Sequence, residues 1–137
     1  MNTDGPLRMA LLANAAFSAS CAALLILAPL RISELLGLSA PAFIFQLIGA
    51  GLVLFAIDLV HQATRPRLAT WRALYASAAD FLWVIGTFLA LALFPGALSG
   101  SGVATVLAVA VLVAAFGAMQ LIAIGRAHRA FRFQRSR

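Results

Sequence analysis

The sequence predicts an all-α integral membrane protein: four transmembrane helices in an up-down bundle, with both termini in the cytoplasm. Three observations carry this expectation. Apolar stretches at about 9–30, 42–60, 73–94 and 103–124 each approach or exceed the roughly 20 helical residues that span a bilayer core. The 137 residues are 64% hydrophobic and only 10% charged, a balance foreign to a soluble domain of this size. Finally, the basic residues are all Arg, and all but Arg31 flank the stretches on one side. The spans take up almost the whole sequence, so one membrane domain over 1–137 is expected.

Helix 1 follows Arg8. Ser18-Ala19-Ser20-Cys21 faintly resembles a lipoprotein signal, but Ser18 stands where a Leu-like residue is usual. The chain also stays apolar from Ala22 to Leu30, so helix 1 is read as retained. Cys21 is the single cysteine, which excludes an internal disulfide, a CxxC pair or a thiolate cluster. It is read as a small packing residue.

The connection 29–38 is not an ordinary flexible loop. Pro29 ends helix 1 and Gly37 can stop a short helical turn. Arg31 and Glu34 stand three apart and can pair, while Leu30, Leu35 and Leu38 dip into the interface. An interfacial connector is the favoured reading over a lid or partner contact. Ser39-Ala40-Pro41 then opens helix 2 with a capping residue and a first-turn proline. Within helix 2, Gly49, Gly51 and Ala56 suit close helix approach.

Arg65, Arg67 and Arg72 lie between helices 2 and 3, and Trp71 and Tyr75 fit an aromatic belt where helix 3 begins. Residues 11–16 and 74–79 (LLANAA, LYASAA) look alike at the starts of helices 1 and 3, but in so Ala-rich a chain chance resemblance is favoured over a repeat. The segment 95–102 reads as a flexible outer turn; no strand precedes its glycines and no Lys follows, which argues against a phosphate cradle. Beyond helix 4, the tail 125–137 continues as a basic helical segment. Its Arg126, Arg129, Arg132 and Arg135 are expected to contact anionic lipid headgroups, not nucleic acid. With Arg on the inner side at every junction and Arg31 alone opposite, the positive-inside rule places both termini in the cytoplasm.

Each span carries one strongly polar residue in its inner half: Asn14, Asp58, Asp80 and Gln120. At a rise of about 1.5 Å per residue, Asn14 lies about 9 Å inward of Arg8, as Gln120 does of Arg126, and Asp80 about 12 Å from Arg72. Asp58 is shallower or comparable, depending on where helix 2 ends, so the four can form one polar layer. An ionised Asp facing lipid costs at least about 2.5–3.5 kcal/mol, so both carboxyls should face the bundle. Either an Arg reaches in from the rim, with Arg65 or Arg67 as candidates for Asp58, or a carboxyl is held neutral, the state a proton relay uses. The bland reading is glue: such side chains join membrane helices with bonds worth about 0.6–2 kcal/mol each. Asp80, being deeper, is the better functional candidate, and Trp83 one turn away can line the same cavity or fill the bundle.

His61 and His128 both fall at the rim, so neither a metal site nor a bis-histidine haem is expected, and no cofactor is assigned. Asp58 and His61 supply at most half of a metal site. No GxSxG elbow or triad is recognisable, so no catalytic residue is named. Size and layout resemble several groups of small bacterial membrane proteins in architecture alone. The small multidrug transporters carry an acidic residue within helix 1 and the mercury transporters use cysteine pairs; this chain has neither feature. The leading expectation is a non-enzymatic accessory, assembly or interaction subunit of a bacterial cytoplasmic membrane, in a homo-oligomer or larger complex. The alternative is a small transporter or proton-coupled permease built on Asp80 and Asp58.

Overall fold

The apolar Ala- and Leu-rich run from Gly5 forms a helix, α1 (Gly5–Leu27), whose end is set by Pro29. The residue before a proline is driven out of the helical region, and Ala28 accordingly has φ −132°. The computed structural model describes residues 5–66 and 70–135, with side chains for 5–66 and 71–126. Pro29 then occupies the first turn of a short helix, α2 (Pro29–Leu36), where its missing N–H costs nothing. Gly37 closes α2 in the left-handed conformation at φ 71°. Its N–H bonds the Glu34 carbonyl at 3.1 Å and that of Leu38 bonds the Ser33 carbonyl at 3.0 Å, satisfying carbonyls the helix leaves open. The expected helical turn and its stop at Gly37 are both present, and Arg31 and Glu34 pair at 3.4 Å on its exposed face.

Three further helices follow: α3 (Ala42–Thr64), α4 (Thr70–Leu93) and α5 (Gly100–Arg135). Pro41 itself caps α3, and no side chain does so; Ser39 is therefore not the cap its residue type suggested. α3 runs on to Thr64, beyond the expected limit at 60, because His61-Gln62-Ala63-Thr64 contains no helix breaker before Pro66. α5 continues unbroken through the basic tail to Arg135, as expected. Among the described residues there is no strand, and α1, α3, α4 and α5 are long and apolar enough to cross a membrane. By length and composition this is a multi-pass membrane protein.

α1 packs along α3 and, on another side, against α5, while α4 packs on α5 and barely meets α3. The start of α1 lies beside the end of α3: Arg8 Nη1 donates to the Ala63 carbonyl and Nη2 to that of Pro66 at 3.2 Å. At the other end, a Cβ on Gly49 would stand 2.7 Å from Ile26 Cγ1 and 3.1 Å from the Ala22 carbonyl oxygen. Only glycine permits this approach. Gly51, read as its companion, has nothing within 4 Å of a Cβ and so contributes no close contact.

The turn 95–102, expected to be flexible, is not loose. Ser99 donates its N–H to the Leu36 carbonyl at 2.9 Å, and the Ser99 and Ser101 hydroxyls both donate to the Leu35 carbonyl, at 2.9 and 3.0 Å. A Cβ on Gly102 would fall 2.5 Å from the Leu36 carbonyl oxygen. The turn is therefore fastened to the end of α2, whose last carbonyls it satisfies. Around the bundle, large apolar side chains such as Leu27 (82% exposed) and Leu54 (69%) face outward, the surface a hydrocarbon phase would cover.

Candidate functional site

Where α4 and α5 cross, Gly117 lets the helices close: a Cβ there would lie 3.2 Å from the Phe81 ring and 3.4 Å from Asp80 Cβ. This approach places Asp80 of α4 between α5 and α1. Asn14 Nδ2 of α1 donates to Asp80 Oδ2 at 2.8 Å, and Gln120 Nε2 of α5 donates to the same oxygen at 3.5 Å. Behind each amide stands a serine. Ser18 donates to Asn14 Oδ1 at 3.4 Å, and Ser77 donates to Gln120 Oε1 at 3.1 Å. None of the five residues is more than 5% exposed. The donors run in two short chains that end on Asp80: each serine hydroxyl donates to an amide oxygen, and both amide nitrogens donate to one carboxyl oxygen.

Apolar side chains border the cluster on both sides. Toward the Arg-bearing end, Leu7 and Leu11 precede Asn14, Ala73 and Ala76 precede Asp80, and Ala123 and Ile124 follow Gln120; with Leu59 of α3 they form one buried apolar cluster. In the opposite direction, the rings of Phe17 and Phe116 meet at 5.7 Å, one turn from Asn14 and Gln120. Trp83 does not line the site. It is 46% exposed and borders an outer apolar groove with Leu82 and Phe94.

Asp58 belongs elsewhere. Its carboxylate pairs with the Arg72 guanidinium of α4 through Oδ1 and accepts from Gln62 Nε2 at 2.5 Å through Oδ2. Both members of the ion pair keep partial exposure, 31% for the Asp58 side chain and 23% for Arg72, as suits the bundle rim. Thus three of the four expected polar residues meet and the fourth makes a separate contact between α3 and α4. The partner anticipated for Asp58 was Arg65 or Arg67. Arg65 instead donates to His61 Nε2 from Nε at 3.1 Å and approaches it through Nη2 at 2.8 Å, because position 65 follows His61 by one helical turn. Arg67 lies outside the described residues. His61 and Asp58 therefore turn to different partners, and among the described residues no three His, Cys, Asp or Glu side chains converge as metal ligands.

Among the described residues Asp80 has no ion pair; its contacts are the two amides. Gln62 is 4% exposed, and its Oε1 is a buried acceptor without a hydrogen-bond partner. Sequence reasoning missed Ser18, Gln62, Gly117 and the roles of Ser77 and Arg72. Ser18, Gln62 and Ser77 left the same faint signal, since each falls one turn from Asn14, Asp58 or Asp80 on the same helix face. In the tail, Arg126 is exposed, and the side chains of His128, Arg129, Arg132 and Arg135 lie outside the described residues, as does Arg137.

Compared with protein-family models, curated proteins and solved structures, the chain matches none.

Proposed function

We propose that this chain is a non-enzymatic accessory, assembly or interaction subunit of a bacterial cytoplasmic membrane. It forms a single membrane domain, an up-down bundle of four spans with both termini in the cytoplasm. One observation carries the reading: the Ser18–Asn14–Asp80–Gln120–Ser77 cluster uses its polar groups on one another and is bordered by buried apolar side chains. A solute or proton pathway needs polar groups in series up to an aqueous face. Here Leu7, Leu11 and Leu59 stand between Asp80 and the rim. The arrangement suits a lock joining α1, α4 and α5, and leaves the outer faces to lipid, a second copy or a larger complex. Anionic headgroups at Arg126, Arg129, Arg132 and Arg135 are the lipid contact of the tail.

A second reading, a small proton-coupled transporter, is favoured by a buried carboxyl, Asp80, that meets amides and, among the described residues, no cation. It narrows to Asp80, because Asp58 is held by Arg72.

Substitution of Asp80 separates the two. As a lock, Asp80→Asn keeps an oxygen acceptor of equal size and leaves the thermal stability of the detergent-purified protein nearly unchanged. Asp80→Leu strips Asn14 and Gln120 of their acceptor and costs about 1–3 kcal/mol for each buried group left unsatisfied. As a relay, Asp80→Asn folds normally and abolishes pH-gradient-driven transport in proteoliposomes, since an amide does not titrate in this way. Pronounced pH-linked transport by the parent protein, lost in a stable Asp80→Asn variant, would overturn the accessory reading.

A further inference from the structure

The pairing of α1 with α3 leaves an open groove of about 810 Å³ along the outer side of the bundle. Its floor is a row of small residues on α1, Ala16, Ala19 and Ala23, and its walls include Leu12, Ile57 and Val60. The small residues alone mean close packing for some apolar object, but the two ends of the groove differ in chemistry. One end is bordered by Ile26 and Leu27. The other is bordered by His61 and Thr64, and the Arg65 guanidinium rests on His61 there. All three of these residues are exposed. Arg8 adds positive charge at the same end, where its guanidinium holds the Ala63 and Pro66 carbonyls. A trough that is apolar along its length and cationic at one mouth is complementary to an amphiphile with an anionic head.

The length agrees. From Leu12 to Leu27 the groove follows α1 for about 22 Å, enough to lay down an acyl chain reaching across one leaflet of about 15 Å. Another groove, beside Trp83 and Phe94, offers a contrast. It is apolar too, about 480 Å³, but no charged side chain among the described residues borders it.

We infer that the α1–α3 groove is a binding site for an anionic phospholipid, with one acyl chain lying over Ala16, Ala19 and Ala23 and the headgroup phosphate held at the mouth by Arg65 beside His61. This site is separate from the tail arginines and does not depend on the role of Asp80. In a planar bilayer every outward face touches lipid; the site is distinguished by retaining one lipid and by selecting its charge.

The full chain, purified in a mild detergent, is to be mixed with equal amounts of phosphatidylglycerol and phosphatidylcholine bearing the same acyl chains, and its adducts counted by native mass spectrometry. The expected result is a protein–phosphatidylglycerol complex that outlasts detergent removal, with phosphatidylcholine retained less. Arg65→Gln, a change on an exposed side chain, should reduce that preference about fivefold, the weight of one cation beside an anionic headgroup. Ala19→Phe, filling the trough from an exposed position, should lower retention of both lipids. Ala90→Phe in the second groove should change neither, with helical content by circular dichroism matching the parent throughout. Equal retention of the two lipids by the parent would overturn the inference, as would a preference unaltered in Arg65→Gln or retention unaltered in Ala19→Phe. A lipid-free dimer abolished by Ala19→Phe would also overturn it, assigning the face to a second copy of the chain.

Discussion

Asp58 and Asp80 are the same side chain under different solvation, and the neighbours each receives differ accordingly. At the rim, Asp58 stays partly exposed and takes a full cation, Arg72. In the buried interior, Asp80 receives amide dipoles backed by serines. An ion pair between these partly exposed groups holds α3 to α4, two helices that otherwise hardly touch. Arg72→Gln should therefore cost about 1 kcal/mol, and Asp58→Asn a similar amount. The double substitution should cost clearly less than their sum in chemical unfolding of the detergent-solubilised protein, because each single change already removes the pair. Strict additivity would show that the two groups do not interact. Depth along a helix is readable from residue counts, so Asn14, Asp80 and Gln120 were legible as one layer. The partner of Asp58 was not. Arg65 and Arg67 are nearer in sequence, and choosing Arg72 requires the rotation of α4 about its own axis, which apolar faces all round leave undetermined. Ser18 and Ser77 were equally hidden, since a serine in an Ala-rich helix can bond its own backbone, as Ser20 does to the Ala16 carbonyl at 2.9 Å.

Among the elements, glycine positions decide how closely the helices come. Gly49 admits α1 against α3, Gly117 admits α5 against Asp80 and Phe81, and Gly102 admits the start of α5 against the end of α2, whereas Gly51 and Gly86 face open space. The sequence shows where glycines fall but not which side of an apolar helix meets a neighbour, so Gly49 and Gly51 looked alike. Their difference is measurable. Gly49→Val and Gly102→Val should each lower stability by about 1–3 kcal/mol through overpacking against backbone and fixed side chains. Gly51→Val should leave the melting temperature near that of the parent. Equal effects at 49 and 51 would contradict the α1–α3 contact. Segment 95–102 illustrates the same limit. Its composition suggested a flexible turn, yet Ser99 and Ser101 find carbonyls on α2, a helix distant in sequence. Gly37→Ala should loosen this junction from the other side, because it forces a Cβ into a left-handed position at φ 71° and toward Ser99.

For the whole molecule, orientation follows from where the arginines gather. Arg8, Arg65 and Arg72 are gathered at one end of the bundle by contacts among the α1, α3 and α4 termini. Arg126 follows from the same end of α5, since Gln120 lies level with Asn14 and Asp80. Arg31 is at the other end, and Glu34 at 3.4 Å offsets its charge. Positive charge near span ends resists transfer across the membrane during insertion. The expected topology therefore keeps the Arg-rich end in the cytoplasm, and reporters can test it. A cytoplasm-active reporter fused after Arg137 should be active, and a reporter active only outside should be active when inserted at Gly96. Gly96 is the better insertion point than Ser99, because a Cβ at 96 meets nothing within 4 Å while Ser99 is bonded to α2 through its backbone and its hydroxyl. An outside-active reporter at the C-terminus would reverse the orientation. It would also move the tail arginines and the mouth of the α1–α3 groove to the opposite leaflet, so the lipid preference at Arg65 would then concern the outer surface.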